Sequence, residues 1–588
     1  MNYQRHNMAS QPSYKNPQEI LDVYLERLDD LVEGLPASVF QEMSKEFLRA
    51  WGDLTTQRMQ HPQDWMDTML NYQQDQMSLW LKMFTPPGSE PVEPMVSPQR
   101  GDRRFSANNW KDNPVFDFLK QSYLLSSNML NEMADATHLD QENKDKLKFY
   151  TRFFADALSP ANFAATNPEV IQHAIDTKGQ SLVDGLQLLM EDLGKGRISM
   201  TDESAFELGS NLATTPGSVI YENDIMQLIQ YKSTTETVAK RPLIVIPPFI
   251  NKFYILDLQP ENSFVKYATD QGNTVFIISW INPGKDLKDL TWDDYLESGV
   301  FTALRIAKEI SGADQVNTAA WCVGGTLLST ALAVLQARGD QTISSATFFT
   351  TLLDFTEPGE LGIFVDETQV AQREAQLEHT GMLNGKDLAM VFSMLRANDL
   401  IWSYVVNNYL KGKTPPPFDI LYWNSDPTNM PGNMYISYIQ NMYLENKLVQ
   451  PGGLTLCGEP IDLSKITTPS YFLSTIEDHI APWTATFKTV NLFDGPADFV
   501  LGGSGHIAGV INPPAKNKRN YWIDGEHGKG AEHWLKTATS HSGSWWPNWI
   551  EWLAQYQDEE IKAPRSPGNK TYTEVEPAPG RYVKKRVS

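Results

Sequence analysis

The chain has few cysteines, a deficit of basic residues and no long apolar run. Its 588 residues include only Cys322 and Cys457, which excludes a disulfide framework or a zinc site built from cysteines. Sparse cysteine is typical of the reducing cytoplasm. Lys and Arg number 49 against 72 Asp and Glu, and this net charge of −23 argues against nucleic-acid binding. No apolar run reaches the roughly 18 residues of a membrane span, and residues 1–17 lack the apolar core of a signal peptide.

What is present indicates a large folded protein. Hydrophobic residues make up 41% of the chain and charged residues 21%, proportions that are typical of a globular protein. The length is too great for one ordinary domain. The 16 Trp and 22 Tyr are many, and we expect most of them to belong to packed interiors.

The first part of the chain is predicted to be helical. Residues 1–17 are expected to be disordered, and a stretch with four prolines between Thr85 and Ser97 predicts a linker over 85–102. Apolar residues at helical spacing predict helices over 19–35, 40–51, 65–83, 113–133, 143–157 and 168–193. We therefore expect an all-helical N-terminal domain over 1–205.

The pattern changes after residue 205. Residues 219–221 and 226–231 flank Asn223 and Asp224 and predict a hairpin. Short apolar runs then alternate with helical stretches, which is typical of a parallel sheet covered on both faces. These runs are 243–248, 274–280, 317–322, 346–353, 470–475 and 499–501. Residues 356–455 interrupt the alternation and predict a cap or lid inserted into a catalytic domain over 206–588.

Cys322 ends one of the predicted strands and precedes a helix of small and apolar residues. Ala320 and Gly324 stand two positions to either side of it, as a tight turn requires. This strand–turn–helix context predicts a nucleophile elbow with sulfur in place of a serine oxygen. A thiolate suits acyl transfer from a thioester, because exchange of one sulfur for another is nearly balanced in energy and the acyl group can be passed on.

A nucleophile of this kind needs an acid and a histidine later in the chain. Asp478 follows the predicted strand 470–475, with Glu477 as the alternative, and His506 lies in a glycine-rich loop after the next strand. We therefore predict a triad of Cys322, Asp478 and His506. His479 is an accessory candidate that lines the site or holds the loop. Cys457 is interpreted as structural.

The tetrahedral oxyanion of acyl transfer needs two fixed backbone donors. One is the N–H of Val323, directly after the nucleophile. The other is expected from the loop after the strand 243–248, from Ile250 or Asn251. Asp257, further along, is interpreted as a supporting group or as a helix cap.

Several long motifs in this order resemble the polyhydroxyalkanoate synthases, and class I most closely. They are the elbow together with residues 113–123, 246–257, 398–411, 422–426, 502–514 and 578–583. The resemblance covers most of the chain from about residue 100. One departure is Ala320, where the family's box usually opens with glycine. Alanine is small enough for the turn, so we expect activity to survive.

The resemblance implies an α/β-hydrolase fold with an inserted cap, preceded in the chain by a helical N-terminal domain. It implies an acyltransferase in which Cys322 carries the polymer as a thioester, with (R)-3-hydroxyacyl-CoA, mainly 3-hydroxybutyryl-CoA, as substrate and no cofactor besides the CoA of the substrate. It further implies a homodimer in the cytoplasm that is bound to polymer granules and their associated proteins. Trp423 lies in the inserted region and is interpreted as part of a dimer surface. Two alternatives stay open: a thioesterase or polyester depolymerase of the same fold, and a non-catalytic granule-coat protein.

Overall fold

The computed structural model describes residues 49, 51, 52, 54, 63–83, 93–99 and 101–587. The predictions for 1–17 and 19–35, almost all of helix 40–51 and part of the linker 85–102 lie outside these residues. The chain divides into two compact units, the first ending at Asp202 but also containing Arg396–Pro416, and the second formed by Glu203–Leu395 and Pro417–Ser588.

Helices build the first unit, as the sequence predicts. They are α1 (Gln63–Met83), α2 (Asn109–Asp112), α3 (Pro114–Asp135), α4 (Gln141–Ala157), α5 (Pro168–Asp176) and α6 (Gln180–Lys195). Capping accounts for the start of α5, where the Asn167 side chain accepts the N–H groups of Glu169 and Val170, and Pro168 takes the first helical position. Asp140 caps α4 in the same way through the N–H of Asn143.

The single helix predicted over 168–193 is wrong, because the chain forms two helices there. Lys178 and Gly179 both have positive φ, 52° and 87°, and this left-handed pair breaks the hydrogen-bond ladder between α5 and α6. The apolar spacing continues across the break, since both helices bury one face.

Part of the predicted cap belongs to the helical unit. Residues 396–416 form two π-helical turns, Asn398–Trp402 and Val405–Leu410, beside α6. The Tyr409 hydroxyl donates to Asp192 over 2.7 Å, and the Asn408 amide donates to the Ser199 carbonyl over 2.8 Å. The predicted cap 356–455 therefore contributes residues to both units.

The second unit is organised around an eleven-stranded sheet. Its strands and the short ribbons beside it are β1 (Gly217–Glu222), β2 (Met226–Tyr231), β3 (Thr237–Ala239), β4 (Leu243–Ile246), β5 (Val275–Trp280), β6 (Val316–Trp321), β7 (Ile343–Phe349), β8 (Met382–Leu383), β9 (Met430–Pro431), β10 (Thr455–Leu456), β11 (Glu459–Pro460), β12 (Ser470–Thr475), β13 (Ala497–Gly502), β14 (Asn520–Ile523), β15 (Thr539–Ser542), β16 (Glu560–Lys562) and β17 (Glu576–Pro577). The predicted hairpin is β1–β2, and each predicted strand is present. β12 has the predicted ends, whereas the other predicted parallel strands are shifted at one or both ends.

The strand order is β15-β14-β13-β12-β7-β6-β4-β5-β2-β1-β17. The six strands from β13 to β5 are parallel, and antiparallel strands extend the sheet on both sides. The carboxyl ends of the parallel strands therefore meet along one edge, where ligands bind in sheets of this kind.

Apolar side chains cover both faces of this sheet. Successive residues of a strand point to opposite faces, so Ile244 and Ala320 enter one core while Val245 and Trp321 enter the other. The helices of this unit are α7 (Phe264–Asp270), α8 (Trp292–Asp294), α9 (Thr302–Ser311), α10 (Val323–Ala337), α11 (Glu367–Thr380), α12 (Gly385–Leu395), α13 (Asp419–Asn424), α14 (Gly432–Tyr438), α15 (Trp483–Thr489), α16 (Ala531–Thr537) and α17 (Trp546–Ala554). The buried tryptophans of α17 bear out the expectation that aromatic residues serve packing.

The packing of residues 396–416 against α6 can be tested by substitution of two glycines of α6. A Cβ at Gly185 would lie 1.9 Å from the Tyr409 carbonyl oxygen, whereas a Cβ at Gly194 would have nothing within 4 Å. We expect Gly185→Ala to destabilise the protein by about 2 kcal/mol and to expose 396–416 to proteases. Gly194→Ala, the matched control, should be neutral or stabilising by up to about 1 kcal/mol. Urea unfolding measures both, and equal effects would contradict this packing.

Candidate active site

Cys322 lies at the sharp turn between β6 and α10. Its φ of 53° and ψ of −128° are sterically unfavourable for a residue with a Cβ. The turn has no room to relax, because a Cβ added to Gly324 would lie 2.5 Å from the Ile246 carbonyl oxygen. Ala320 is fully buried in β6, so its methyl group is accommodated. The structure thus has the strand–turn–helix geometry of a nucleophile elbow.

Asp478 and His506 meet at the same edge of the sheet. They follow β12 and β13, which are parallel neighbours, so the loops after both strands emerge together. His506 Nδ1 lies 2.7 Å from Asp478 Oδ2, and both residues are buried. The alternative acid, Glu477, is exposed, and its backbone N–H is bonded to the Ser504 carbonyl. The geometry therefore favours Asp478 as the partner of the histidine.

The carboxylate of Asp478 is fixed by the backbone around it. Its Oδ1 accepts the N–H groups of Ile480 and Ala481, each over 2.9 Å. These donors compensate the burial of the charge and leave Oδ2 for the imidazole. Asp478 is therefore placed to orient His506 and to stabilise its protonated form.

The neighbours of His506 make it a strong proton acceptor. Burial lowers the pKa of the imidazole, but the negative charges of Asp478 and Cys322, with hydrogen bonds to both, raise the pKa of His506 to about 10. Because Nδ1 faces Asp478, Nε2 is the nitrogen left for the Cys322 sulfur. This arrangement suits transfer of the thiol proton to His506.

The predicted oxyanion donors flank the elbow. Val323 is the first residue of α10, and its N–H has no acceptor among the described residues. In the loop after β4, the N–H groups of Ile250 and Asn251 are likewise without an acceptor in the described part of the chain. The pairing of Ile246 with Ala320 brings this loop beside Cys322. Ile250 and Asn251 both stay predictions for the second donor.

The two accessory candidates occupy different surroundings. The His479 carbonyl accepts the N–H of Glu360 over 3.4 Å, so its backbone holds the loop that follows β7. Asp257 is buried, and its Oδ1 accepts the hydroxyls of Thr215 and Ser263. Within the described residues, no hydrogen bond or ion pair joins Asp257 to Cys322, Asp478 or His506, and we expect it to act in support of the fold.

Cys457 lies at the turn of the β10–β11 ribbon. Burial raises the pKa of its thiol to about 12, and the charges of Asp293 and Glu297 act in the same direction. A thiol of this kind is a poor nucleophile at neutral pH. Within the described residues, no group of three His, Cys, Asp or Glu side chains could hold a metal ion.

A group of aromatic residues near Cys322 was not predicted from the sequence. Burial raises the pKa of both Tyr438 and Tyr443, and the neighbouring Cys322 sulfur acts in the same direction, so both hydroxyls stay protonated. Tyr438 stacks on Trp292 at 5.7 Å, and Phe355 packs on both tyrosines. Tyr438 lies in α14 and Tyr443 in the π-helical turn that follows it (Ile439–Leu444). The spacing of these two tyrosines is the sequence feature from which the group could have been predicted.

The interpretation of Trp423 as a dimer-surface residue is wrong, because its side chain is buried within the chain. Its ring stacks on Trp321 with centroids 6.5 Å apart, and its Nε1 donates to the Lys252 carbonyl over 2.7 Å. Trp423 therefore connects the inserted region with the elbow strand and with the loop after β4.

Comparisons with known proteins agree with this architecture. Residues 101–268 match the family model described as "Poly-beta-hydroxybutyrate polymerase (PhaC) N-terminus", and residues 241–513 match the alpha/beta hydrolase fold, which confirms the predicted fold class. The "Poly(3-hydroxyalkanoate) polymerase subunit PhaC" of Cupriavidus necator is 48% identical over 526 residues, 89% of this chain and 88% of that protein. The protein of the same name from Rhizobium meliloti is 45% identical over 87% of this chain and 84% of its own length. A solved monoacylglycerol lipase of Paleococcus ferrophilus shares 11% identity, covers 56% of this chain and 99% of its own, and has a TM-score of 0.33.

Asp257 gives the protein a pH-dependent component of stability. Burial raises the pKa of its carboxyl to about 6, partly offset by the hydroxyls of Thr215 and Ser263. The folded state therefore binds its proton more tightly than the unfolded state, and this contribution to stability is lost as the pH rises from about 4 to 6. In Asp257→Asn the amide oxygen keeps both hydroxyl donors without the charge.

We expect Asp257→Asn to stabilise the protein, and by about 1 kcal/mol more at pH 7.5 than at pH 5. Urea unfolding at the two pH values measures the difference. Asp270→Asn, at an exposed position beside Lys266, is the control and should show no such difference. An increase in the free energy of unfolding of Asp257→Asn that is the same at both pH values would contradict the role assigned to the Asp257 charge.

Proposed function

Because the chain belongs to the poly(3-hydroxyalkanoate) polymerase (PhaC) family, as its resemblance to the class I synthases predicted, we propose that Cys322 carries its growing polymer as a thioester. The protein is an acyltransferase that polymerises hydroxyacyl units into polyhydroxyalkanoate. The finer proposal concerns its substrate, (R)-3-hydroxyacyl-CoA and mainly 3-hydroxybutyryl-CoA, and the roles of its residues. The observation that carries it is the contact of a buried His506–Asp478 pair with the sulfur at the elbow.

Acylation begins when His506 accepts the proton of the Cys322 thiol. The sulfur attacks the thioester carbonyl, and the N–H groups of Val323 and of Asn251 or Ile250 bind the oxygen that becomes negative. The tetrahedral intermediate collapses with cleavage of the carbon–sulfur bond to CoA. The CoA sulfur takes the proton from His506, and the hydroxyacyl group remains on Cys322.

Elongation uses the 3-hydroxyl group as the second nucleophile. The 3-hydroxyl group of a second substrate attacks the thioester carbonyl of the acyl-enzyme, and an ester bond forms. The Cys322 sulfur leaves as a thiol with the proton that the hydroxyl gives up. We assign His506 as the acceptor of this proton rather than Asp478. The assignment rests on Asp478, whose Oδ1 already accepts two N–H groups and whose Oδ2 faces the imidazole. No cofactor is needed, because nucleophile, base and oxyanion donors are all protein groups.

Polymerisation requires that a hydroxyl group, and not water, reach the acyl-enzyme. The aromatic side chains of Trp292, Phe355, Tyr438 and Tyr443 pack on one another close to Cys322. Such a surface disfavours water and accepts the apolar part of a polyester. These contacts support a polymerase over a thioesterase or depolymerase of the same fold.

Association with the product and with a second copy is also proposed. The described part of α1 exposes apolar side chains, among them Met66, Leu70, Met77 and Trp80. Such a surface supports contact with granules of the polymer in the cytoplasm, or with granule-associated proteins and a second subunit. Among the described residues, no helix combines the length and apolar character needed to cross a bilayer.

Substitution of the nucleophile tests the proposal. We expect Cys322→Ala to abolish CoA release from 3-hydroxybutyryl-CoA, and Cys322→Ser to lower its rate by at least about 10³-fold, since a serine hydroxyl is far less acidic than a thiol. Cys457→Ser is the matched control and should keep the original rate. CoA is followed as a free thiol, and the product is identified as polymer or free acid. Undiminished CoA release by Cys322→Ala would refute the assignment of Cys322 as the nucleophile. Free acid as the product of the wild-type protein would favour the thioesterase alternative.

A further inference from the structure

A buried lysine follows directly after the proposed oxyanion donors. The Lys252 ammonium lies 2.9 Å from Asp426 Oδ1, and the side chains are 2% and 1% exposed. The same ammonium donates to the backbone carbonyls of Val583, over 2.7 Å, and Lys585, over 2.8 Å. A single charge thus joins three distant parts of the chain: the loop after β4, the segment after α13 and the C-terminal tail.

The segment after α13 also holds the loop through its carbonyl groups. The Thr428 hydroxyl donates to the Phe249 carbonyl over 2.7 Å, and the Thr428 N–H donates to the Ile250 carbonyl over 3.3 Å. In a trans peptide unit the N–H points away from the carbonyl oxygen. The two bonds from Thr428 therefore direct the N–H groups of Ile250 and Asn251 to the opposite side, where neither has an acceptor in the described chain.

The tail is itself held in place. Val583 is buried, the Tyr582 hydroxyl donates to the Asn223 carbonyl over 2.8 Å, and Asn282 donates to the Lys585 carbonyl over 3.3 Å. Tyr254 adds a hydroxyl bond to Asp426 Oδ2 over 3.1 Å. The tail that carries the two acceptor carbonyls of Lys252 is therefore fixed by further contacts with the second unit.

We propose that Lys252, held by Asp426 and by the tail carbonyls of Val583 and Lys585, is a positioning residue that keeps the oxyanion loop in its catalytic orientation. The proposal rests on the proposed function, because it assumes that this loop supplies an oxyanion donor. Buried ion pairs are weak contributors to stability, and in some proteins they specify one geometry, which is the role assigned to this pair. Without the ammonium, the loop keeps its Thr428 bonds but loses the anchor on the far side of Asn251.

Two variants test the proposal independently. Lys252→Met removes the charge and keeps the length of the side chain, and deletion of residues 583–588 removes both acceptor carbonyls. Lys266→Met, at a half-exposed surface position, and deletion of residues 587–588 alone are the matched controls. For both test variants we expect kcat with 3-hydroxybutyryl-CoA to fall by at least about 10-fold, towards the 10²–10³-fold cost of a lost oxyanion donor, while KM changes little.

A second measurement separates positioning from general damage. Alkylation of Cys322 by iodoacetamide is a displacement at carbon that forms no oxyanion, so its rate should stay within about twofold of the wild-type rate. The extent of labelling at Cys322 is read by peptide mass. A parallel fall of kcat and alkylation, an unchanged kcat, or loss of cooperative unfolding in both variants would overturn the proposal. Failure of the proposed function is distinguishable, since it would appear as CoA release by Cys322→Ala.

Discussion

The turn at Cys322 is the constraint on which the rest of the site depends. A residue with a Cβ holds φ at 53° only where its surroundings leave no alternative. Gly324 allows this, because its missing Cβ lets the start of α10 approach the Ile246 carbonyl directly. That close approach places three things together: the sulfur, the N–H of Val323 and the loop that continues from β4. A nucleophile on a relaxed strand end would lie apart from its oxyanion donors.

The charges of the His506–Asp478 pair determine which proton transfers this geometry can support. The His506–Asp478 pair is buried, where an isolated charge would be costly, and the N–H groups of Ile480 and Ala481 compensate that cost. The pair therefore persists as a proton acceptor beside the sulfur rather than as a solvated surface pair. In the proposed mechanism, the burial that strengthens these contacts also protects the acyl-enzyme from hydrolysis. Proton transfer and polymer growth would then both depend on the burial of the site.

The sequence predicted those parts of the molecule that follow local or topological rules. The parallel sheet, the hairpin, the elbow and the order of acid and histidine all follow from strand ends and turn residues. The sequence favoured Asp478 and kept Glu477 as the alternative, since the directions of two adjacent side chains are visible only in the structure, where Asp478 faces His506. The break at Lys178 was hidden because a lysine rarely adopts positive φ and both helices share one apolar spacing. Trp423 was misassigned because an indole suits an interface and a core equally well.

The contacts that hold the loop after β4 join residues far apart in the chain, and these contacts were beyond prediction from one sequence. In the proposed mechanism a tetrahedral oxyanion forms when Cys322 is acylated and again when the hydroxyl attacks, so the donors must keep their direction while the product lengthens beside them. Loops are the mobile parts of a fold. Here the carbonyls of Phe249 and Ile250 are bound to Thr428, and the Lys252 ammonium is bound to Asp426 and the tail. Rigidity is thereby supplied from behind the loop, which leaves its front, with the N–H groups, free for substrate and polymer.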